Sequence, residues 1–334
     1  MQAGRSFAIR NPYMESENNP KAIAAFPSAA AADHMVAGIP AAARAVRMLA
    51  DEGASSIRLR IGDGGTLADA TRAEIERLQG AARVTVEAGD GPRLVLPTAW
   101  KIVRATGKPG DGLVSRWLNR PISQRLTWLA LAVPGLRPLH VTLLNALLGV
   151  PMLLCLLSFS PAGLILGAIL YQAASVLDGV DGEMARATWR TSAEGAALDA
   201  LIDMGLNLRF VLGLTIHLAV RDQDAIGWIG ALAIVQMLAG NALIARRVRA
   251  QGRPLGFDYY KRGGGLRGGV FDLAYRAVQA LTGRDCFAFL FMVLTIVGLE
   301  REALIIFAGV GTVWLIYIII SSLLPVPRPR RGTA

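Results

Sequence analysis

The 334-residue chain is 53% hydrophobic with a formal charge of +10, long enough for one large or two modest domains. Its long apolar runs lie almost entirely after residue 138, and its cations cluster beside those runs rather than among exposed aromatics. That is the flank pattern of a membrane protein, with anionic lipid and phosphorylated substrates as partners, and it argues against nucleic-acid binding.

Cys155 and Cys286 lie in or at the start of apolar runs, which leaves neither a disulfide framework nor a zinc site. The first residues lack a charged-then-apolar leader pattern, so insertion is expected to begin from internal helices. Residues 1–33, with Asn-Pro, Asn-Asn-Pro and an alanine run, predict irregular chain. Met35 to about Glu52 predicts a helix closed by Gly53, and Ile57 to Ile61 a strand ending in the turn Gly62-Asp-Gly-Gly65. Leu67 to Leu78 reads as a second helix, with Val84 to Glu87 and Arg93 to Leu96 as short strands. Together they predict a small cytoplasmic α/β domain over residues 1–105, barely large enough to fold alone. Glycine clusters between a strand and a helix are more often turns than phosphate loops, and Gly62 to Gly65 is read so. Ala37-Gly-Ile-Pro-Ala-Ala-Ala-Arg44 resembles the early part of a sugar-nucleotide nucleotidyltransferase, but the glycine-rich loop expected ahead of it is missing. The domain is therefore read as a degenerate, nucleotidyltransferase-like accessory module.

Residues 106–138 form a juxtamembrane segment. Trp117, Leu118, Ile122, Leu126, Trp128 and Leu129 alternate there with Arg116, Arg120, Gln124 and Arg125, as in a surface helix with its cations toward headgroups. Six spans are expected in a helical domain over residues 139–326, at about 140–158, 162–186, 192–219, 225–248, 284–299 and 302–324, before a basic tail at 327–334. The fold class is thus mainly α, a six-helix transmembrane bundle with a small α/β domain ahead of it. Arg186 and Arg190 occupy the second connection, and Arg246, Arg247, Arg249, Arg253, Lys261, Arg262 and Arg267 the fourth. The positive-inside bias then places both termini and the active-site end of spans two and three in the cytoplasm.

Those two spans carry the chemistry. Asp178-Gly-Val-Asp-Gly-Glu-Met-Ala-Arg186 is followed after eight residues by Gly195, Asp199 and Asp203. On a helix turning about 100° per residue, Asp178, Asp181, Gly182, Ala185 and Arg186 share one sector. Gly195, Asp199 and Asp203 share a face of the next helix. Each acid at membrane depth costs about 2.5 to 3.5 kcal/mol on insertion scales, which a divalent cation held by oxygens from both helices would offset. The small residues leave room for a ligand, and the planar fork of Arg186 suits a phosphate oxygen. Metal, phosphate and a spare carboxylate describe a phosphoryl-transfer site.

The segment Asp178 to Asp203 resembles, at every fixed position, the signature of the CDP-alcohol phosphotransferases. Lys108 to Ser123 is similar to the juxtamembrane segment of the archaeal-type di-myo-inositol phosphate phosphate synthases within that family, whose other branches include phosphatidylinositol phosphate synthases. The resemblance implies two Mg2+ or Mn2+ ions on Asp178, Asp181, Asp199 and Asp203, with Asp203 as general base. It also implies a CDP pocket of Asp178, Gly182, Ala185, Arg186 and Gly195, and a homodimer through membrane helices, for which Gly309-Val-Gly311 permits close packing. The expected reaction passes a substituted phosphate from a CDP-alcohol, CDP-diacylglycerol first, to a polyol phosphate such as an inositol phosphate, releasing CMP in phospholipid biosynthesis. Soluble CDP-inositol is the alternative donor, and a cation transporter the rival from another class.

Arg209, Arg246, Arg247, Lys261 and Arg262 are the candidate acceptor-binding cations. Met204 departs from the family's usual basic residue after the last aspartate. Glu183 lies off the acid-lined sector, as a solvated or supporting group, and His217 and His140 read as helix-end polar residues rather than ligands.

Overall fold

The computed structural model describes residues 21–108, 111–250 and 284–323, with side chains for all of these but 284 and 321–323. The contacts divide the chain into two units, residues 1–106 with 128–136 and 186–189, and the remainder.

In the first unit, β1 (Lys21–Phe26), β4 (Ser56–Ile61) and β5 (Arg83–Ala88) form a parallel sheet in the order β1-β4-β5. Parallel pairing needs crossovers, supplied by α2 (Ala41–Asp51) and α3 (Asp69–Leu78). The strand β1 corrects the expectation of irregular chain over residues 21–33, the part of 1–33 that lies within the described residues. Its Lys-Ala-Ile-Ala-Ala-Phe sequence is covered on both faces, so it shows no polar alternation. The helix α1 (Ala29–Asp33) follows, capped by Ser28.

The helix expected from Met35 starts only at Ala41. Met35–Val36 (β2) and Ile39–Pro40 (β3) form a hairpin around Ala37 and Gly38, at φ of 48° and 76°, a two-residue turn with both centres left-handed. One face of α2, with Ala42, Ala45, Val46 and Leu49, packs into a core with Ala22, Ala24, Ile57 and Leu59. Alanine at so many of these positions lets helix and sheet approach closely. The strand expected at Arg93 to Leu96 is absent; the chain gives β1 one bond there, from Ala25 N to Pro92 O at 3.0 Å, before α4 (Ala99–Ala105).

A wide π-helical turn at Ser115–Asn119 runs into α5 (Arg120–Ala130). Then come α6 (Pro138–Leu156), α7 (Pro161–Ala187), α8 (Ala193–Asp222) and α9 (Ile226–Ala250), followed by α10 (Arg284–Ile296) and α11 (Glu300–Leu323). Among the described residues, α6, α7, α8, α9 and α11 are five helices long and apolar enough to cross a membrane. The fifth expected span, 284–299, is helical over the 13 residues of α10, about 20 Å at 1.5 Å per residue against a hydrocarbon core of about 30 Å.

An aromatic ladder ties these helices together. Tyr171 of α7 stacks on Phe210 of α8 at 4.1 Å, Phe210 meets Phe291 of α10 at 5.1 Å, and Phe291 meets Phe307 of α11 at 5.5 Å. Gly213 admits the side chain of Leu156, and Gly240 the ring of Trp314. Gly311 is approached by Gln236 of the same chain, whereas Gly309 faces open space. Arg221, Asp222 and Asp224 interlock with Glu300 and Arg301, joining the α8–α9 connection to the start of α11.

Candidate active site on the α7 and α8 helices

The helix α8 begins at Ser192, whose hydroxyl accepts the Gly195 N–H at 2.9 Å. This side-chain cap fixes the start of the helix and hence the register in which Asp199 and Asp203 follow, one turn apart. Carboxylate oxygens from these two and from Asp178 of α7 all lie within 4.8 Å of one another, and each residue is half-buried. Oxygens about 2.0 to 2.6 Å from one divalent ion stand at most about 4 to 5 Å apart, so the three fit around a shared hard cation.

Asp181 is placed differently. It is buried, and its Oδ2 accepts a 2.5 Å hydrogen bond from Thr142 Oγ1 of α6. The structure therefore gathers three of the four expected metal acids and puts the fourth one helical turn from Asp178, under a hydroxyl. Gly182, Ala185 and Arg186 follow on α7, half-buried, and Gly195 is exposed at the start of α8.

The acid that sequence reasoning undervalued is Glu183, which is fully buried. Its Oε1 accepts from Arg120 Nη1 at 2.7 Å and Ser123 Oγ at 2.8 Å, and its Oε2 from Thr127 Oγ1 at 2.6 Å. Arg120 also pairs with Asp111, through Nε at 2.7 Å and Nη2 at 3.0 Å. The expectation that Arg120 faces headgroups is thus corrected: its side chain is only 12% exposed. Burial of Asp111 opposes ionisation, but the Arg120 hydrogen bond and charge hold its carboxyl below the usual range. Burial likewise works against the charge of Arg120, and the bonds to Asp111 and Glu183 outweigh it, raising its pKa. About two and three turns nearer the start of α7, Ser175 accepts a hydrogen bond from Asn119 and Gln172 donates one to it. Between these contacts a Cβ on Gly179 would lie 3.0 Å from Ser123 Oγ. The polar edge of α5 is therefore spent on α7, leaving Trp117, Ile122, Leu126, Trp128 and Leu129 exposed.

Of the acceptor candidates, Arg209 sits half-buried within α8, where its Nη1 would lie 3.1 Å from a Cβ on Gly149. The glycine makes room for the guanidinium. Arg246 and Arg247 lie near the end of α9, where cations suit the helix dipole; Lys261 and Arg262 fall outside the described residues. His217 Nδ1 is 2.8 Å from Leu156 O, and His140 Nδ1 accepts the Arg137 N–H at 3.2 Å. Both histidines thus satisfy backbone at the ends of α6. In the first unit, a Cβ on Gly62 would lie 2.9 Å from Pro27 O and one on Gly65 2.9 Å from Ala29 Cβ. Close packing explains those glycines.

Comparison with known proteins adds the family. Residues 136–315 match the model of the CDP-alcohol phosphatidyltransferases. A bifunctional IPC transferase and DIPP synthase of Aquifex aeolicus is 33% identical over 204 residues, 60% of this chain and 41% of the relative. Its namesake from Thermococcus kodakarensis is 42% identical over 115 residues, 34% of this chain and 25% of the relative. The chain thus spans less than half the length of these curated relatives. A solved phosphatidylinositol phosphate synthase of Mycobacterium tuberculosis, with CDP-DAG bound, aligns over 63% of this chain and 98% of its own at 19% identity and a TM-score of 0.39. The family model takes in the helices that carry all four aspartates and matches more than half of the sequence: this protein belongs to the CDP-alcohol phosphatidyltransferase family.

Proposed function

We propose that the chain is a membrane phosphotransferase that moves a substituted phosphate from a CDP-alcohol to the hydroxyl of a polyol phosphate. The acceptor oxygen bonds to the phosphorus that bears the donor alcohol, the bond from that phosphorus to CMP breaks, and the acceptor proton passes to a carboxylate. Asp203 is the proposed base, and Asp178, Asp199, Asp203 and, beside them, Asp181 are the residues that would hold Mg2+ or Mn2+. Bound there, the metal would neutralise pyrophosphate charge and polarise the phosphoryl oxygens. Gly182, Ala185 and Gly195 leave space for CDP, and Arg186 supplies a fork for phosphate. Arg209, with Arg246, Arg247, Lys261 and Arg262, is proposed to recognise the acceptor's phosphate. The observation that carries the reading is the convergence of three carboxylates from two apolar helices.

The active-site end is proposed to face the cytoplasm. At the opposite connections Arg221 and Arg301 are matched by Asp222, Asp224 and Glu300, whereas Arg246, Arg247 and Arg249 crowd the end of α9. A homodimer through membrane helices remains part of the proposal, with open Gly309 rather than Gly311 as its close-approach position.

CDP-diacylglycerol is the proposed donor, because α5 exposes an apolar, tryptophan-bearing surface beside the catalytic helix. A second reading, soluble CDP-inositol, is favoured by the DIPP synthase in the relatives' names. Purified protein supplied with each donor and a panel of polyol phosphates should release CMP in a metal-dependent way with one of them. Metal flux across vesicles without CMP release would instead indicate a transporter.

A further inference from the structure

The helix α7 ends in a way its sequence does not favour. Arg190 N bonds Ala185 O at 2.8 Å and Trp189 N bonds Arg186 O at 3.4 Å, the paired bonds of a helix terminator whose left-handed position glycine normally fills. Here that position holds Trp189, at φ 49°, a backbone conformation that a Cβ disfavours. Such strain persists only where the surroundings over-determine it.

The surroundings belong to the N-terminal unit, which includes residues 186–189. The Trp189 ring packs on that unit's hydrophobic core, with the Arg44 guanidinium 4.8 Å above it. Arg44 is 2% exposed and donates to Val36 O, Ala37 O and, at 3.0 Å, Ala187 O. Arg77 reaches the next two carbonyls, Thr188 O at 2.9 Å and Trp189 O at 3.0 Å. Buried Thr188 sits against Gly38, where a Cβ would come within 3.3 Å of its methyl. Three successive carbonyls at and just past the negative end of α7, Ala187 to Trp189, are therefore met by two arginines of the same unit, which satisfies groups that a helix end leaves without partners.

We infer that Arg44, Arg77 and Trp189 brace the turn that ends α7, residues 186–189 of their own unit, and so act as positioning residues for the acids that flank it. The inference rests on the proposed activity. Only Thr188 to Thr191 and the Ser192 cap separate α7, which carries Asp178, from α8, which carries Asp199 and Asp203. Helices are stiff, so the direction in which this short link leaves α7 governs how closely the carboxylates meet. Metal ligation tolerates errors of only about 0.2 Å, and misplacement of reacting groups by about 1 Å costs on the order of 100-fold in rate.

W189G is the discriminating variant, because glycine suits the turn and removes only the ring. Wild type, W189G, R77A, R77K and R44K are compared for CMP release and for hydrogen exchange of the amides between Ala185 and Gly195. W189G and R77A should lower kcat by about 10- to 100-fold, leave donor KM within about threefold and raise the metal concentration needed for half-maximal rate. Those amides should exchange faster in both variants, and R77K, lacking the fork that spans two carbonyls, should recover less than half of the loss. R44K should behave like R77A. Wild-type kcat and unchanged exchange in W189G and R77A would overturn the brace. A wild-type protein that releases no CMP would overturn the proposed activity instead, leaving the exchange measurement to decide the brace.

Discussion

The helix α7 carries carboxylates in two opposite situations five residues apart. Glu183 is buried among three donors, one of them the guanidinium of Arg120, whereas Asp178 is drawn within 4.8 Å of two other acids. Satisfaction at Glu183 makes it a fastener between α5 and α7. Crowding at Asp178 suits a shared cation, because carboxylate oxygens brought this close from two helices can ligate one hard ion. Burial alone therefore does not mark a reactive acid in this helix pair; the chemistry of the neighbours does.

Neutralising the crowded acids should have the largest effect. D203N and D178N are each expected to reduce CMP release by at least about 1,000-fold, with the fold intact by circular dichroism. A loss below tenfold would remove them from the chemistry. E183A should act the other way, mainly on stability, because it opens a cavity and leaves Arg120 Nη1, Ser123 and Thr127 without their acceptor, with Asp111 still pairing the guanidinium; each lost acceptor costs about 1 to 3 kcal/mol. Thermal unfolding in detergent should show a large drop for E183A and a smaller one for E183Q, which keeps the shape of the carboxylate.

T142V tests the bridge between the two regimes. Loss of the hydroxyl should leave Asp181 more available to metal, so the midpoint of a Mg2+ titration of activity should move by a few-fold at most, corresponding to about 1 kcal/mol for one hydrogen bond. A complete loss of activity would make Thr142 part of the machinery itself.

The smallest expected effect is one of pH. The folded-state pKa of Asp111 is depressed, so its contribution to stability is present above the unfolded value of about 3.9 and disappears as pH falls through the folded one. The stability gap between wild type and D111N, followed by unfolding from pH 6 to pH 3, should narrow toward the acid end. A gap that widens on acidification would reverse the assigned sign.

The convergence of Asp178, Asp199 and Asp203 was legible in the sequence, because their spacing is a statement about helix faces that tertiary packing had little reason to alter. The partner of Glu183 was harder to see. Arg120, Ser123 and Thr127 do recur at helical spacing on α5, a polar stripe that signals a buried face, but tryptophans beside arginines read equally well as headgroup contacts. The strand β1 escaped notice because shelter on both faces removes the alternation that marks a strand. Pattern had nothing to offer at Trp189, where the local preference is for glycine and only packing against a distant part of the chain explains the residue.

The most direct test of the carboxylate cluster is equilibrium binding of Mn2+ to the purified protein without substrates, followed by electron paramagnetic resonance. The account predicts saturable binding that weakens at least tenfold in D199N and vanishes in the triple variant D178N/D199N/D203N, while E183Q binds like wild type. Unchanged Mn2+ binding in the triple variant would contradict it.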